Sequence, residues 1–190
     1  QPKVETNYTF DRSGIPMDFH VLRMPNGMSV LDYAFRFPTT RLEVGQYEDT
    51  VYSALEVALS VMTKDGTQVV SLRKQVDEEF DENEQGRFRR GGFAYEDQQV
   101  ILPGEYDVTL TVRNRVSKVF YSRTEELVVP YRTQEEIVLL PPIIFPQSQT
   151  GLAFNPARVP PYQFSSVKFS PLLTTTIKRG QELGIFHQIH

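Results

Sequence analysis

Apolar and polar residues alternate with a period of two along most of the chain. From Val30 to Phe37, Leu31, Tyr33, Phe35 and Phe37 share one face, and Asp32, Ala34 and Arg36 share the other. That is the pattern of a half-buried strand, ended by Pro38. From Val51 to Thr63 the odd positions carry Val51, Leu55, Val57, Leu59 and Val61, although Ala54, Leu55, Ala58 and Leu59 would also line a helix face. Lys64-Asp65-Gly66-Thr67 decides for a strand, because Asp65 and Gly66 supply the positive φ values of a two-residue hairpin turn that no helix enters. Gln68 to Val76 then returns with Val70, Leu72 and Val76 alternating. The acidic run Asp77 to Glu84 and the basic run Arg87 to Arg90 read as a mobile loop, with a short strand around Phe93 to Tyr95.

The cleanest alternation follows Leu102-Pro103-Gly104-Glu105, where Tyr106, Val108, Leu110 and Val112 oppose Asp107, Thr109 and Thr111. Pro103 and Gly104 set the turn. A tyrosine just inside the next strand matches the tyrosine corner of immunoglobulin-like sandwiches, whose hydroxyl bonds to upstream backbone. Short strands at Lys118 to Tyr121 and Glu126 to Val129 continue the pattern. The spacing predicts an all-β, immunoglobulin- or fibronectin-like antiparallel β-sandwich of about seven strands. Beyond Tyr131 the composition changes, and seven of the 13 prolines fall between Pro141 and Pro171. Each proline removes a ladder donor, so an extended connector is expected, with short strands near Ile137 to Leu140 and Ser166 to Phe169. Strands at Thr174 to Lys178 and Glu182 to His190 would flank Arg179-Gly180. The expected division is an arm over 1–27, a sandwich over 28–132, a connector over 133–173, and part of a second β module over 174–190.

The 190 residues carry 20 Lys and Arg against 24 Asp and Glu, a net charge of -4, so no basic field draws in nucleic acid or anionic lipid. No apolar run approaches the roughly 18 residues of a membrane span. The absence of cysteine excludes a disulfide framework, a thiolate metal site and a cysteine nucleophile. Gln1 suits a mature start after removal of a signal peptide, which places the protein in the periplasm or outside the cell as an expectation.

The order of Ala34-Phe35-Arg36-Phe37-Pro38, the strand Leu55 to Val61, Asp65-Gly66 and Leu102-Pro103-Gly104-Glu105-Tyr106 resembles the N-terminal β-sandwich of secreted bacterial proteins of the GWxTD-domain type. Arg179-Gly180-Gln181-Glu182-Leu183-Gly184-Ile185-Phe186 is similar to the entry into the second β module of such proteins. The Gly-Trp-x-Thr-Asp motif itself is absent. The resemblance implies an exported structural or interaction role and carries over no catalytic residue.

Candidate chemistry is sparse. His187 and His190 sit three apart, which on a strand points them to opposite faces and away from a shared metal. The acidic run Asp77 to Glu84 lacks the spacing of a calcium loop, and a solvated charged loop is the simpler reading. Arg87, Arg89 and Arg90 beside Phe88 and Phe93 have the composition of a short RNA-binding patch, but neighbouring carboxylates oppose it. No nucleophile elbow, phosphate loop or dinucleotide fingerprint is present, so neither a cofactor nor catalysis is expected. The aromatics Tyr8, Phe10, Tyr47, Tyr131, Phe145, Phe154, Tyr162 and Phe164 fall in irregular segments. They would staple extended arms to a core or a neighbour, or serve as sugar platforms.

Few charges accompany Ile143, Ile144, Phe145, Leu152 and Phe154, and the terminal strand carries Leu183, Ile185, Phe186 and Ile189. These apolar residues are expected to bind other protein subunits or the remainder of a longer chain. The function expected is thus a non-catalytic, exported interaction subunit. A carbohydrate-binding module or an accessory domain of a larger enzyme is the alternative.

Overall fold

The computed structural model describes residues 8–12, 14–38, 40–48, 50–81, 84, 92–131, 139–153, 159–174, 177 and 179–189. In chain order the strands among them are β1 (Thr9–Phe10), β2 (Met17–Arg23), β3 (Ser29–Phe37), β4 (Gly45–Tyr47), β5 (Thr50–Thr63), β6 (Gln68–Phe80) and β7 (Phe93–Ile101). They continue with β8 (Gly104–Asn114), β9 (Val119–Val129), β10 (Ile143–Phe145), β11 (Gln147–Gln149), β12 (Gln163–Phe164), β13 (Val167–Ser170) and β14 (Gly184–Phe186). The expected all-β class is the one observed. Strands β9, β8, β5 and β6 are successive neighbours in one sheet, β4 continues the β8 side of β5, and β2-β3-β7 form another sheet. These orders correspond to the G-F-C-C′ and A-B-E strands of an immunoglobulin-like sandwich, and β1 runs parallel to β9.

The chain divides into two compact units, each assembled from three separate stretches: 1–15, 36–93 and 106–127 in the first, 16–35, 94–105 and 128–190 in the second. In the first unit Leu55, Val57, Leu59 and Val61 of β5 face inward, as do Val108, Leu110 and Val112 of β8. The register pairs Val57 with Val112 and Leu59 with Leu110, so the alternation of two strands converges on one buried face. Tyr106 is buried opposite Thr63, and Gly104 opens β8 directly after the Leu102-Pro103 turn.

Several segments depart from the sequence expectation. The hairpin tip lies at Asp65-Gly66, but only Gly66 has a positive φ, +88°. Gly66 N–H donates to Thr63 O at 2.9 Å and Thr63 N–H to Thr67 O at 2.9 Å. This is a three-residue loop closed by a glycine bulge, in place of a two-residue primed turn. Asp65 contributes its carboxylate, which accepts from Thr67 N–H at 3.1 Å and from the Thr63 hydroxyl. A Cβ at Gly66 would meet nothing within 4 Å, so the penalty of a side chain there is purely conformational. Gly66→Ala is expected to cost about 1 kcal/mol, read as a lowered urea midpoint; an unchanged midpoint would mean the turn adopts another geometry.

The acidic run is not all loop. Asp77, Glu78, Glu79 and Phe80 continue β6, an exposed edge strand whose charges discourage further pairing. The two short strands expected between Lys118 and Val129 are one, β9, and β7 reaches Ile101. The expected N-terminal arm contains β2, paired with β3 from Met17↔Phe35 to Arg23↔Ser29. Strand β3 is buried on both faces at every residue except Arg36, so it is central where a half-buried strand was expected. Residues 1–7, 13, 39, 49, 82, 83, 85–91, 132–138, 154–158, 175, 176, 178 and 190 lie outside the described set. With them fall Arg87, Phe88, Arg89 and Arg90, Phe154, His190, and most of the strand expected at Thr174 to Lys178.

Candidate functional site

The proline-rich C-terminal stretch cannot form a continuous sheet, and it is laid down as short pairs between prolines. Strand β10 pairs antiparallel with β14, and β13 pairs with both β11 and β12. These pairs bury apolar side chains within the second unit. Ile143, Tyr162, Phe169 and Leu173 join Leu22, Met24, Val30 and Ala34 in one cluster, with Phe145, Phe164 and Phe186 against it. The rings of Phe145 and Phe169 lie 4.9 Å apart, and those of Phe169 and Phe186 4.6 Å. Gly184 stands opposite Phe145 because a Cβ there would fall 2.3 Å from that ring. The covering of β3 thus comes from the chain's own C-terminal stretch. Ile143, Phe145 and Phe186, expected to bind a partner, are spent on this internal core.

Polar groups fix the same stretch in register. Tyr162 is fully buried and holds φ at +55°, unusual for a residue with a Cβ. Its N–H donates to Asp32 Oδ2 at 3.0 Å, its hydroxyl donates to Asp18 Oδ2 at 3.2 Å, and its ring meets His20 edge-on at 6.2 Å. His20 Nε2 lies 3.0 Å from the same Asp18 oxygen. Burial pushes the Asp32 carboxyl well above the ordinary carboxylate range, against the opposing pull of the Tyr162 N–H. Asp32 Oδ1 and His20 Nδ1, on register partners of β3 and β2, are buried without a hydrogen-bond partner. Lys168 Nζ pairs with Glu96 Oε2 at 2.9 Å. Gln188 is buried, donates from its amide to Arg23 O at 2.9 Å and accepts from Arg23 N–H at 2.8 Å.

The remaining expected partner-binding residues are placed differently. Ile144 and Ile185 are register partners on β10 and β14, 39% and 65% exposed. Leu139 and Ile189, five and four positions away along the chain, form an isolated bridge and are 64% and 67% exposed. Leu152 and Leu183 are half-buried. Strand β14 is paired on one side only among the described residues. A two-stranded ribbon therefore presents Ile143, Phe145 and Phe186 to its own core and Ile144 and Ile185 to the outside. The sequence marks these residues as apolar but does not separate their two faces.

No group of three or more His, Asp or Glu side chains among the described residues is arranged to hold a metal ion. No helix among them is long and apolar enough to cross a membrane. Asp32 is buried although alternation alone marks it as solvent-facing, and the sequence marks Tyr162 only as an aromatic in an irregular segment.

No family model matches the sequence, and no curated protein matches it. Among solved structures, a β-glucuronidase of Bacteroides uniformis is similar over 60% of this chain at 15% identity, with a TM-score of 0.34. A calcium-binding mutant of Bacteroides uniformis β-glucuronidase 2 is similar over 66% at 14% identity, with the same TM-score. The chain spans 13% of the length of each of these proteins.

Proposed function

We propose that this β-sandwich is a non-catalytic, exported interaction module that receives an extended strand of another polypeptide along β14. The observation that supports this reading is the exposed apolar face of the β10–β14 ribbon, set on a rigid internal core. Exposed apolar side chains are ordinary when scattered singly, but Ile144 and Ile185 come as one cross-strand pair and Leu139 and Ile189 as a second. An added strand would satisfy the outer backbone groups of β14, and its alternate side chains would cover Ile144 and Ile185. The secreted setting belongs to the same proposal and rests on the resemblance of the sandwich motifs.

The test uses a fluorescent peptide of alternating valine and threonine, with binding read by anisotropy against the full chain. Ile185→Lys and Ile144→Lys should leave thermal unfolding unchanged, because both side chains are exposed. Each should weaken the peptide by about tenfold or more. Failure of the peptide to bind, or binding that survives both substitutions, would refute the docking role.

A further inference from the structure

Strand β6 runs for 13 residues with β5 on one side and, among the described residues, no strand on the other. Its register against β5 assigns each side chain a face. Val70, Leu72, Lys74, Val76, Glu78 and Phe80 oppose Val61, Leu59, Val57, Leu55, Ser53 and Val51, the inward side of β5, so they share the inner face of the sheet. Arg73, Gln75, Asp77 and Glu79 take the outer face. The inner face of β6 is not sealed as that of β5 is. Leu72, Val76 and Phe80 are only half-buried, and Lys74 and Glu78 between them are exposed. The edge therefore shows an apolar row interrupted by one cation and one carboxylate, beside backbone groups able to extend the ladder.

A second copy of the same strand fits this edge. Two identical edge strands related by a two-fold axis run antiparallel, and a residue that turns its backbone groups outward must meet one that does the same. Even positions then face even ones and odd face odd, so the axis passes through one residue of β6. With the axis on Val76, Lys74 meets Glu78 of the second copy, Leu72 meets Phe80, and Val76 meets its own copy, all on the inner face. On the outer face Arg73 meets Glu79 and Gln75 meets Asp77. Neighbouring registers fail. An axis on Asp77 or on Lys74 sets that charge against itself, and one on Gln75 sets Lys74 against Val76 and Glu78 against Leu72. Asp77 already has a cation in Arg115 of its own chain, and Gln75 offers it an amide donor. Arg73 lies 3.7 Å from a Glu56 oxygen that Arg113 holds at 2.7 Å, so its guanidinium loses little by turning to Glu79. The charges that discourage an arbitrary strand thus admit one partner in one register. We infer that β6 is the edge through which two copies of this chain join, antiparallel about Val76, into one continuous sheet.

Sedimentation velocity on the full chain tests this, and the parent should pass from monomer to dimer as its concentration rises. Lys74→Glu and Glu78→Lys each set like charges across the axis. Each should weaken the dimer about tenfold or more and leave the monomer's melting temperature unchanged, because both side chains are exposed. Mixed together, the two variants should associate with each other, since every charge then meets its opposite again. The chain has no cysteine, so Val76→Cys introduces a single thiol that the axis brings beside its copy. Mild oxidation should link the dimer through it, whereas Ser71→Cys, whose copies lie far apart in this register, should stay unlinked. A parent that remains monomeric up to its highest soluble concentration would overturn the assignment. So would a dimer that survives both charge reversals, failure of the mixture to restore it, or linkage through Ser71→Cys in place of Val76→Cys. None of these outcomes depends on whether β14 receives a strand.

Discussion

Tyr162→Ala is expected to destabilise the second unit by about 3–5 kcal/mol, the cost of removing a buried aromatic side chain whose surroundings cannot collapse to fill the gap. The ring is fully buried in the cluster with Ile143, Phe169 and Leu173 on one side of the chain and Leu22, Val30 and Ala34 on the other. The substitution also removes the hydroxyl that Asp18 accepts, while the backbone donor to Asp32 is retained. Folded stability is commonly about 5–15 kcal/mol in total, so a loss of this size should open the unit to protease. Urea unfolding and limited proteolysis after residue 139 provide the two readouts. Tyr162→Phe keeps the packing and should cost only about 1 kcal/mol. Equal stability of the alanine variant and the parent would show that the C-terminal stretch is not part of the core.

Asp32→Asn should have the opposite sign at neutral pH. The Asp32 carboxyl is raised above its ordinary range, chiefly by burial and further by Glu96 and Asp18, with Tyr162 N–H and Lys168 opposing. His20 faces it across the β2–β3 pair. Below about pH 3.9, the usual unfolded value, the group is protonated in both states and its contribution is fully present. As pH rises, the unfolded chain ionises first, so stability falls by at most about 1.4 kcal/mol per unit until the folded pKa is passed. Asparagine cannot ionise, and its oxygen can still accept from Tyr162. Its amide supplies a donor where Asp32 Oδ1 has none to receive and His20 Nδ1 has none to accept. The variant should therefore gain roughly 1–3 kcal/mol over the parent at pH 7, and the gap should close on acidification. Thermal melts of both proteins from pH 4 to pH 7 would show this as converging curves; parallel curves would mean that Asp32 does not titrate out of step with the unfolded chain.

The elements legible in the sequence are those whose partners are near in the chain and whose one face is buried. Strands β5 and β8 show clean alternation for that reason, and Asp65-Gly66 marks the join of β5 to β6. Asp32 shows the limit of such reading. Its strand was legible, but the group covering it comes from Tyr162, 130 positions further along, and alternation within a strand carries no information about that distance. The polar middle of β9, Ser122 to Glu126, looked like a break because its side chains are mostly exposed, although the backbone ladder continues through them. The carboxylates at the end of β6, Asp77 to Glu79, read as a loop on the same ground, yet an edge strand tolerates charge better than a central one. Ser53 follows the inward alternation of β5 and is fully buried, so nothing in its spacing distinguishes an unpartnered hydroxyl from a small core residue.

Gln188 bears on how the protein ages. Its amide grips both backbone groups of Arg23, the last residue of β2, at the edge of the β2-β3-β7 sheet. A single side chain thus occupies the place where an incoming strand would make its ladder bonds, and the sheet edge is interrupted without another strand. The grip needs one donor and one acceptor on the same planar group, which only an amide supplies. Slow hydrolysis of that amide to a carboxylate would keep the bond from Arg23 N–H and abolish the one to Arg23 O. The Arg23 carbonyl would then face a negative oxygen, and the edge would be open to aggregation at the residue that had closed it.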